Sequence, residues 1–201
     1  MKNCLIIFTR NPELGKVKSR LAADIGKENA LEVYIKLLEH TKNIVSQVDC
    51  TKMLGYSVKV RTEDSWDNTT FNKFQQEGED LGIRMQNAFA TAFKNGHNKV
   101  LIVGSDLLDL KISHIEDAFT ALENNDVVIG PAQDGGYYLL GMNTLNSDVF
   151  VNKSWGTETV YQDTINDLKN RKIHLLETLN DIDCASDLAG YPSFKSYLNK
   201  K

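Results

Sequence analysis

"KVLIVGSDLLDL", residues 99–110, decides the fold. It opens with a short, unbroken apolar run closed by a glycine, the pattern of a strand buried on both faces. Such strands belong to parallel sheets covered by helices, and the flanking chain supplies both kinds of element. "CLIIF" (4–8), "MLGYSVKV" (53–60), "TTFNKFQQ" (69–76), "DVVIG" (126–130), "YYLLGM" (137–142) and "IHLLE" (173–177) read as further strands. Apolar residues recur at helical spacing in Leu31, Ile35, Leu38 and Val45, joined by Tyr34. The same spacing recurs through Leu81, Met85, Ala88, Phe89 and Ala92, and again through Ile115, Ala118, Phe119 and Leu122. Another helix is expected over 157–170. Strands alternating with amphipathic helices predict an α/β, Rossmann-like, mostly parallel sheet with helices on both faces.

The chain has 201 residues, enough for one sizeable core, so a single domain over 1–201 is expected. Its 41% hydrophobic and 25% charged residues are ordinary for a folded protein. A net charge of -4 argues against a nucleic-acid or membrane-surface binder, so any anion site must be local. Three dispersed cysteines, with no CxxC pair, point to neither a disulfide framework nor a zinc site. "CLIIF" is too short for a signal-peptide core, and no other run approaches the roughly 20 apolar residues of a membrane span. A cytoplasmic location is expected.

In open α/β sheets ligands bind outside the carboxyl ends of the strands, which directs attention to 9–20, 77–84, 104–108 and 131–136. "RNPELGKVKSRL" (10–21) gathers Arg10, Lys16, Lys18 and Arg20 around Gly15. Cations at the start of a helix oppose its dipole unless an anion intervenes, and a glycine lets backbone N–H groups approach a phosphate. The stretch is either a clamp for a di- or triphosphate or a solvated basic turn. It is not a Walker A loop, because Arg10 stands five residues before Gly15, where that pattern needs glycine. Asp106, two residues past its strand, is either a hard-oxygen ligand for Mg²⁺ or Mn²⁺ or a helix cap, with Asp109 and Ser113 available as alternative caps.

"GPAQDGGYYLLG" (130–141) reads as a hairpin-like turn of the Asp-Gly type. Tyr137 and Tyr138 alternate faces there, placing one in the core and the other toward the crevice. "EGEDLGIRM" (77–85) puts acids at a helix start, where the dipole favours them. In "SWGTET" (154–159), Trp155 is a packed lid or a ligand wall, beside a threonine cap. In "LNDIDCASDL" (179–188), Asp181, Asp183 and Asp187 offer either a second metal carboxylate or a capped, solvated turn. The four histidines show no metal spacing, and Ser105 lacks the glycine pair of a nucleophile elbow.

In order, "FTRNPELGKVKSRL", "EGEDLGIRM", "VLIVGSDLLDL", "DVVIGPAQDGGYYLLGM", "SWGT" and "DIDCASDL" resemble the blocks of a family of small bacterial proteins. These were long catalogued as a domain of unknown function and later named as glycosyltransferases. The family is similar to the nucleotide-diphospho-sugar transferases of GT-A type, whose relatives include guanylyltransferases for molybdenum cofactor and phospholactate. The resemblance implies a transferase using a nucleotide or nucleotide sugar with Mg²⁺ or Mn²⁺. It implies phosphate contacts from Gly15, Lys16, Lys18 and Arg20, with Arg10 at the entrance. Asp106 and Lys16 would be catalytic, Asp106 and Asp183 would hold the metal, and Asp134, Gly135, Gly136 and Tyr137 would face the sugar or acceptor, with Trp155 as a wall. Glycosyl transfer leads, nucleotidyl transfer with pyrophosphate release is the alternative, and a non-catalytic nucleotide-binding protein is the third reading. The chain departs from the family's pattern at Ser19, usually threonine, and at Leu107-Leu108, where a proline is usual and a looser loop is expected.

Overall fold

The structure is a computed structural model that describes residues 3–198. Seven strands form one sheet: β1 (Asn3–Thr9), β2 (Thr51–Tyr56), β3 (Phe71–Gln75), β4 (Lys99–Val103), β5 (Val127–Pro131), β6 (Tyr137–Met142) and β7 (Ile173–Leu175). Their order is β3-β2-β1-β4-β6-β5-β7. β6 runs antiparallel to β4 and β5, and every other neighbouring pair is parallel. The helices are α1 (Ser19–Ile25), α2 (Lys27–Ser46), α3 (Leu81–Lys94), α4 (Ile112–Ala121), α5 (Val160–Asp167) and the short α6 (Ala185–Leu188) and α7 (Lys195–Leu198).

Strand alternation builds two cores from the same strands. Leu5 and Ile7 of β1 join Leu101 and Val103 of β4 on one face, under Ile115, Ala118 and Phe119 of α4. Cys4, Ile6, Val100 and Ile102 face the other way, against Met85, Ala88 and Phe89 of α3. The mostly parallel mixed sheet with helices on both faces is therefore the observed fold. A third cluster packs the C-terminal Leu188, Phe194 and Tyr197 on Leu21 of α1 and on Val33 and Leu37 of α2, with Ile182 buried among them. That packing carries the segment around Ile182 back to the mouth of the sheet. No helix among the described residues is long and apolar enough to cross a membrane.

Among the element boundaries that differ from the sequence pattern, three are substantial. The strand expected over 53–60 ends at Tyr56, and Asn11 shows why. Its buried amide accepts from the backbone N–H of Val58 and Lys59 and donates to the carbonyl of Lys59, pulling the segment off the sheet. The helix expected over 157–170 is confined to Val160–Asp167, and the last strand stops at Leu175.

Candidate active site

The four segments singled out by strand position lie at the carboxyl ends of β1, β3, β4 and β5. Beneath the loop after β1, the Tyr34 hydroxyl of α2 accepts from the Arg10 N–H at 3.0 Å and lies 3.4 Å from both Thr9 Oγ1 and Ser105 Oγ. The loops after β1 and β4 therefore share one buried polar anchor. Above it, a turn closed by Lys16 N–H to the Glu13 carbonyl places Gly15 at φ 70°, in the left-handed region that favours glycine. Lys18, at φ 48° and ψ 51°, is also left-handed and stands immediately before α1. A non-glycine residue in that region is held by its surroundings.

The cause is at the other end of its side chain. Lys18 Nζ lies 2.8 Å from Asp106 Oδ2 and 2.9 Å from Asp183 Oδ1, and the side chain is only 4% exposed. Arg20 pairs with the second oxygen of Asp183. Burial alone would lower the Lys18 pKa, but the two carboxylates outweigh it and hold the ammonium above its ordinary value. Burial likewise opposes ionisation of Asp183, yet Lys18 and Arg20 keep its carboxyl below the usual range. Arg10 and Lys16 are exposed and have no ion-pair partner among the described residues.

Asp181, one of the three acidic residues offered by 179–188, converges with Asp183 and with Asp134 of the 132–136 turn. Oxygens of Asp134, Asp181 and Asp183 lie within 4.8 Å of one another. Burial, then the charges of Asp183, Asp134 and Asp106, push the Asp181 carboxyl up to about 7. Ile182 between them is fully buried, so the flanking carboxylates of Asp181 and Asp183 turn the other way together. Asp106 and Asp183, expected to hold a metal together, are joined here through the Lys18 ammonium. Neither Asp109 nor Ser113 caps α4. Lys111 occupies that position with His114, and Asp109 accepts from the Tyr191 hydroxyl. Leu107 is buried and Leu108 packs on the C-terminal cluster, so the loop lacking proline is anchored rather than loose.

Beside the carboxylates lies a cavity of about 230 Å³, with Asp106, Asp134 and Asp181 on its lining. Tyr137 lines it with its hydroxyl toward Met85 Sδ, while Tyr138 is buried, its ring against Gly130 and its hydroxyl bonded to the Glu177 carbonyl. Trp155 is a wall, locked against Gly82: a Cβ there would come within 2.6 Å of the indole and 2.2 Å of the Phe150 carbonyl. Gly135, at φ 87°, lets the 132–136 turn press on Glu158, and its carbonyl accepts from Tyr161 N–H at 2.9 Å. Thr159 precedes α5 without a capping side-chain bond. Sequence reasoning missed Phe8 and did not assign Leu81 or Met85 to the site, because apolar lining looks like core until a void is seen beside it.

The sheet order, the basic loop after β1 and the carboxylates after β4 and β7 define the nucleotide-diphospho-sugar transferase fold, a class of nucleotide-dependent transferases. Within it the chain belongs to the DUF2064 family, described as uncharacterized proteins conserved in bacteria, whose sequence profile matches residues 40–157. The crystal structure of a candidate nucleotide-diphospho-sugar transferase from Desulfovibrio desulfuricans G20 is similar, with TM-score 0.85 at 27% identity over 98% of this chain and 92% of that one. The 4-diphosphocytidyl-2C-methyl-D-erythritol synthase of Anaerococcus prevotii DSM 20548 has TM-score 0.60 at 12% identity, over 92% and 94% of the two chains. A CMP:2-keto-3-deoxy-manno-octonic acid synthetase solved with CTP has TM-score 0.55 at 12% identity, over 94% and 95%. At that identity the last two share the fold alone. No protein of curated function matches the chain in sequence.

Proposed function

We propose that this transferase moves a sugar from a nucleotide sugar to an acceptor, as a single domain over 1–201, in the cytoplasm, with Mg²⁺ or Mn²⁺. The observation that carries the reading is the convergence on Lys18 of Asp106 after β4 and Asp183 after β7. Carboxylates gather where a phosphate-binding loop begins. Asp106, Asp134, Asp181 and Asp183 meet two cations, Lys18 and Arg20, so full ionisation leaves two negative charges uncompensated. Burial first, and then this excess of negative charge, raises the Asp181 carboxyl. A divalent cation matches it in charge and prefers oxygen ligands, so the donor set fits.

Asp134, Asp181 and Asp183 would hold the cation, with Asp106 setting the position of Lys18. When bound, the cation would neutralise charge on the diphosphate. Arg10 and Lys16, unpaired by carboxylates, supply phosphate contacts at the entrance, and Gly15 leaves room for close approach. In the transfer, the acceptor oxygen bonds to the donor's anomeric carbon as that carbon's bond to the diphosphate oxygen breaks. The acceptor proton passes to a site carboxylate, and Arg10 and Lys16 stabilise the departing nucleoside diphosphate. The 134–137 turn and Trp155 line the sugar and acceptor side.

The test is a thermal-shift panel of nucleotide sugars and nucleoside triphosphates with and without Mn²⁺. At least one nucleotide sugar should raise the melting temperature in wild type, and Asp183→Asn and Lys16→Ala should lose the shift. Wild-type shifts in both variants would defeat the proposal. Pyrophosphate release from a triphosphate with a phosphorylated acceptor, in place of nucleoside diphosphate release, would replace glycosyl with nucleotidyl transfer.

A further inference from the structure

We infer that the cavity beside the carboxylates receives the apolar body of an acceptor alcohol; the inference rests on the transferase reading above and names its acceptor class. The walls are Phe8, Leu81, Met85, Tyr137, Trp155 and Val160, and the charged lining comes only from the carboxylates. Leu81 is 44% exposed in the first turn of α3, a large apolar side chain kept at the mouth, where a buried role does not explain it.

Trp155 cannot swing toward α3, because it already lies against Gly82, so this wall is preformed rather than recruited.

A cavity of about 230 Å³ that opens to solvent accommodates a small organic molecule such as one aromatic ring or a short branched chain with its hydroxyl. A polyol acceptor would turn several hydroxyls against Phe8, Leu81, Met85 and Trp155, where each exchanges a water hydrogen bond for none. A nucleobase would leave its edge donors and acceptors in the same position. A hydrophobic alcohol leaves a single polar group to satisfy, and Asp106 and Asp181 lie on the lining to receive it. The carboxylates and the apolar walls thus divide the acceptor into a reacting hydroxyl and an anchoring body.

Ligand-detected NMR on the full chain, with benzyl alcohol, glucose and cytidine as probes, tests this. Benzyl alcohol should bind at least tenfold more tightly than either of the others. Leu81→Trp, which fills the mouth from an exposed position, should abolish that binding. Leu81→Gln, which keeps the length but makes the mouth polar, should weaken it at least threefold. Binding of UDP with Mn²⁺, followed in the same samples, should survive both changes. Glucose or cytidine bound in a Leu81→Trp-sensitive manner, or benzyl alcohol bound equally by wild type and Leu81→Trp, would overturn the inference. Absence of binding by every nucleotide of the panel above, with benzyl alcohol binding still abolished by Leu81→Trp, would defeat the nucleotide reading and leave the apolar pocket standing.

Discussion

Replacing Lys18 by alanine removes the ammonium that joins Asp106 to Asp183, and its cost follows from burial. The lysine side chain is 4% exposed, but its partners are 38% and 23% exposed. Removing one partner of a fully buried pair costs about 3–5 kcal/mol, whereas exposed pairs contribute up to about 1 kcal/mol. With one partner buried and two screened by solvent, the loss should be about 2 kcal/mol. For a chain of this length that lowers Tm by roughly 4–8 °C. The backbone supplies an internal control. Lys18 sits at φ 48°, a conformation that costs a non-glycine residue about 1 kcal/mol and glycine almost nothing. Lys18→Gly should therefore unfold about 1 kcal/mol later than Lys18→Ala, reversing the usual order of the two residues. Urea unfolding in the presence of a chelator measures both. Mn²⁺ should then raise the Tm of Lys18→Ala more than that of wild type, because it meets carboxylates no longer neutralised. Lys18→Ala as stable as wild type would refute the neutralising role, and Lys18→Gly less stable than Lys18→Ala would refute the backbone argument.

Gly135→Ala should destabilise by about 2–4 kcal/mol, because φ is 87° and the new Cβ would lie 2.2 Å from the Glu158 carbonyl; a chemical denaturation curve matching wild type would contradict this. Asp67 accepts from the hydroxyls and N–H groups of Thr70 and Thr69, with the Thr70 hydroxyl the largest influence, and its carboxyl is held well below the usual range. A depressed carboxylate stabilises above its unfolded pKa of about 3.9 and loses that contribution as pH falls toward the native value. The Tm gap between wild type and Asp67→Asn should thus be full at neutral pH and shrink on acidification, and a gap that widens in acid would be incompatible. Burial pushes the Cys4 thiol to about 12 and that of Cys50 to about 11, while Cys184 is half-buried. A thiol reagent at pH 8 should modify Cys184 alone in the native chain and all three cysteines after denaturation, as mass spectrometry can count.

The sheet was legible because its strands carry unbroken apolar runs, and the helices because their stripes recur at 3.6-residue spacing. The limits of "MLGYSVKV" were not, because the bond that ends that strand comes from Asn11, 47 residues earlier in sequence. The carboxylates after β4 and the last strand could be named from position. Their sorting could not, since it depends on Lys18 reaching across 88 residues to Asp106 and 165 to Asp183. No local spacing encodes distances of that kind.

This sorting changes how the basic loop should be understood. Read along the chain, Arg10, Lys16, Lys18 and Arg20 form one cluster awaiting one anion. In space they separate into two pairs. Lys18 and Arg20 are consumed by the protein's own carboxylates, so a phosphate could engage them only by competing with Asp106 and Asp183. Arg10 and Lys16 have no such competitor among the described residues. Removing Lys16 should then weaken diphosphate binding without loss of stability, whereas removing Lys18 should cost stability first. If Lys16→Ala lowered Tm as much as Lys18→Ala while leaving nucleotide affinity intact, the division between an outward clamp and an inward brace would be wrong.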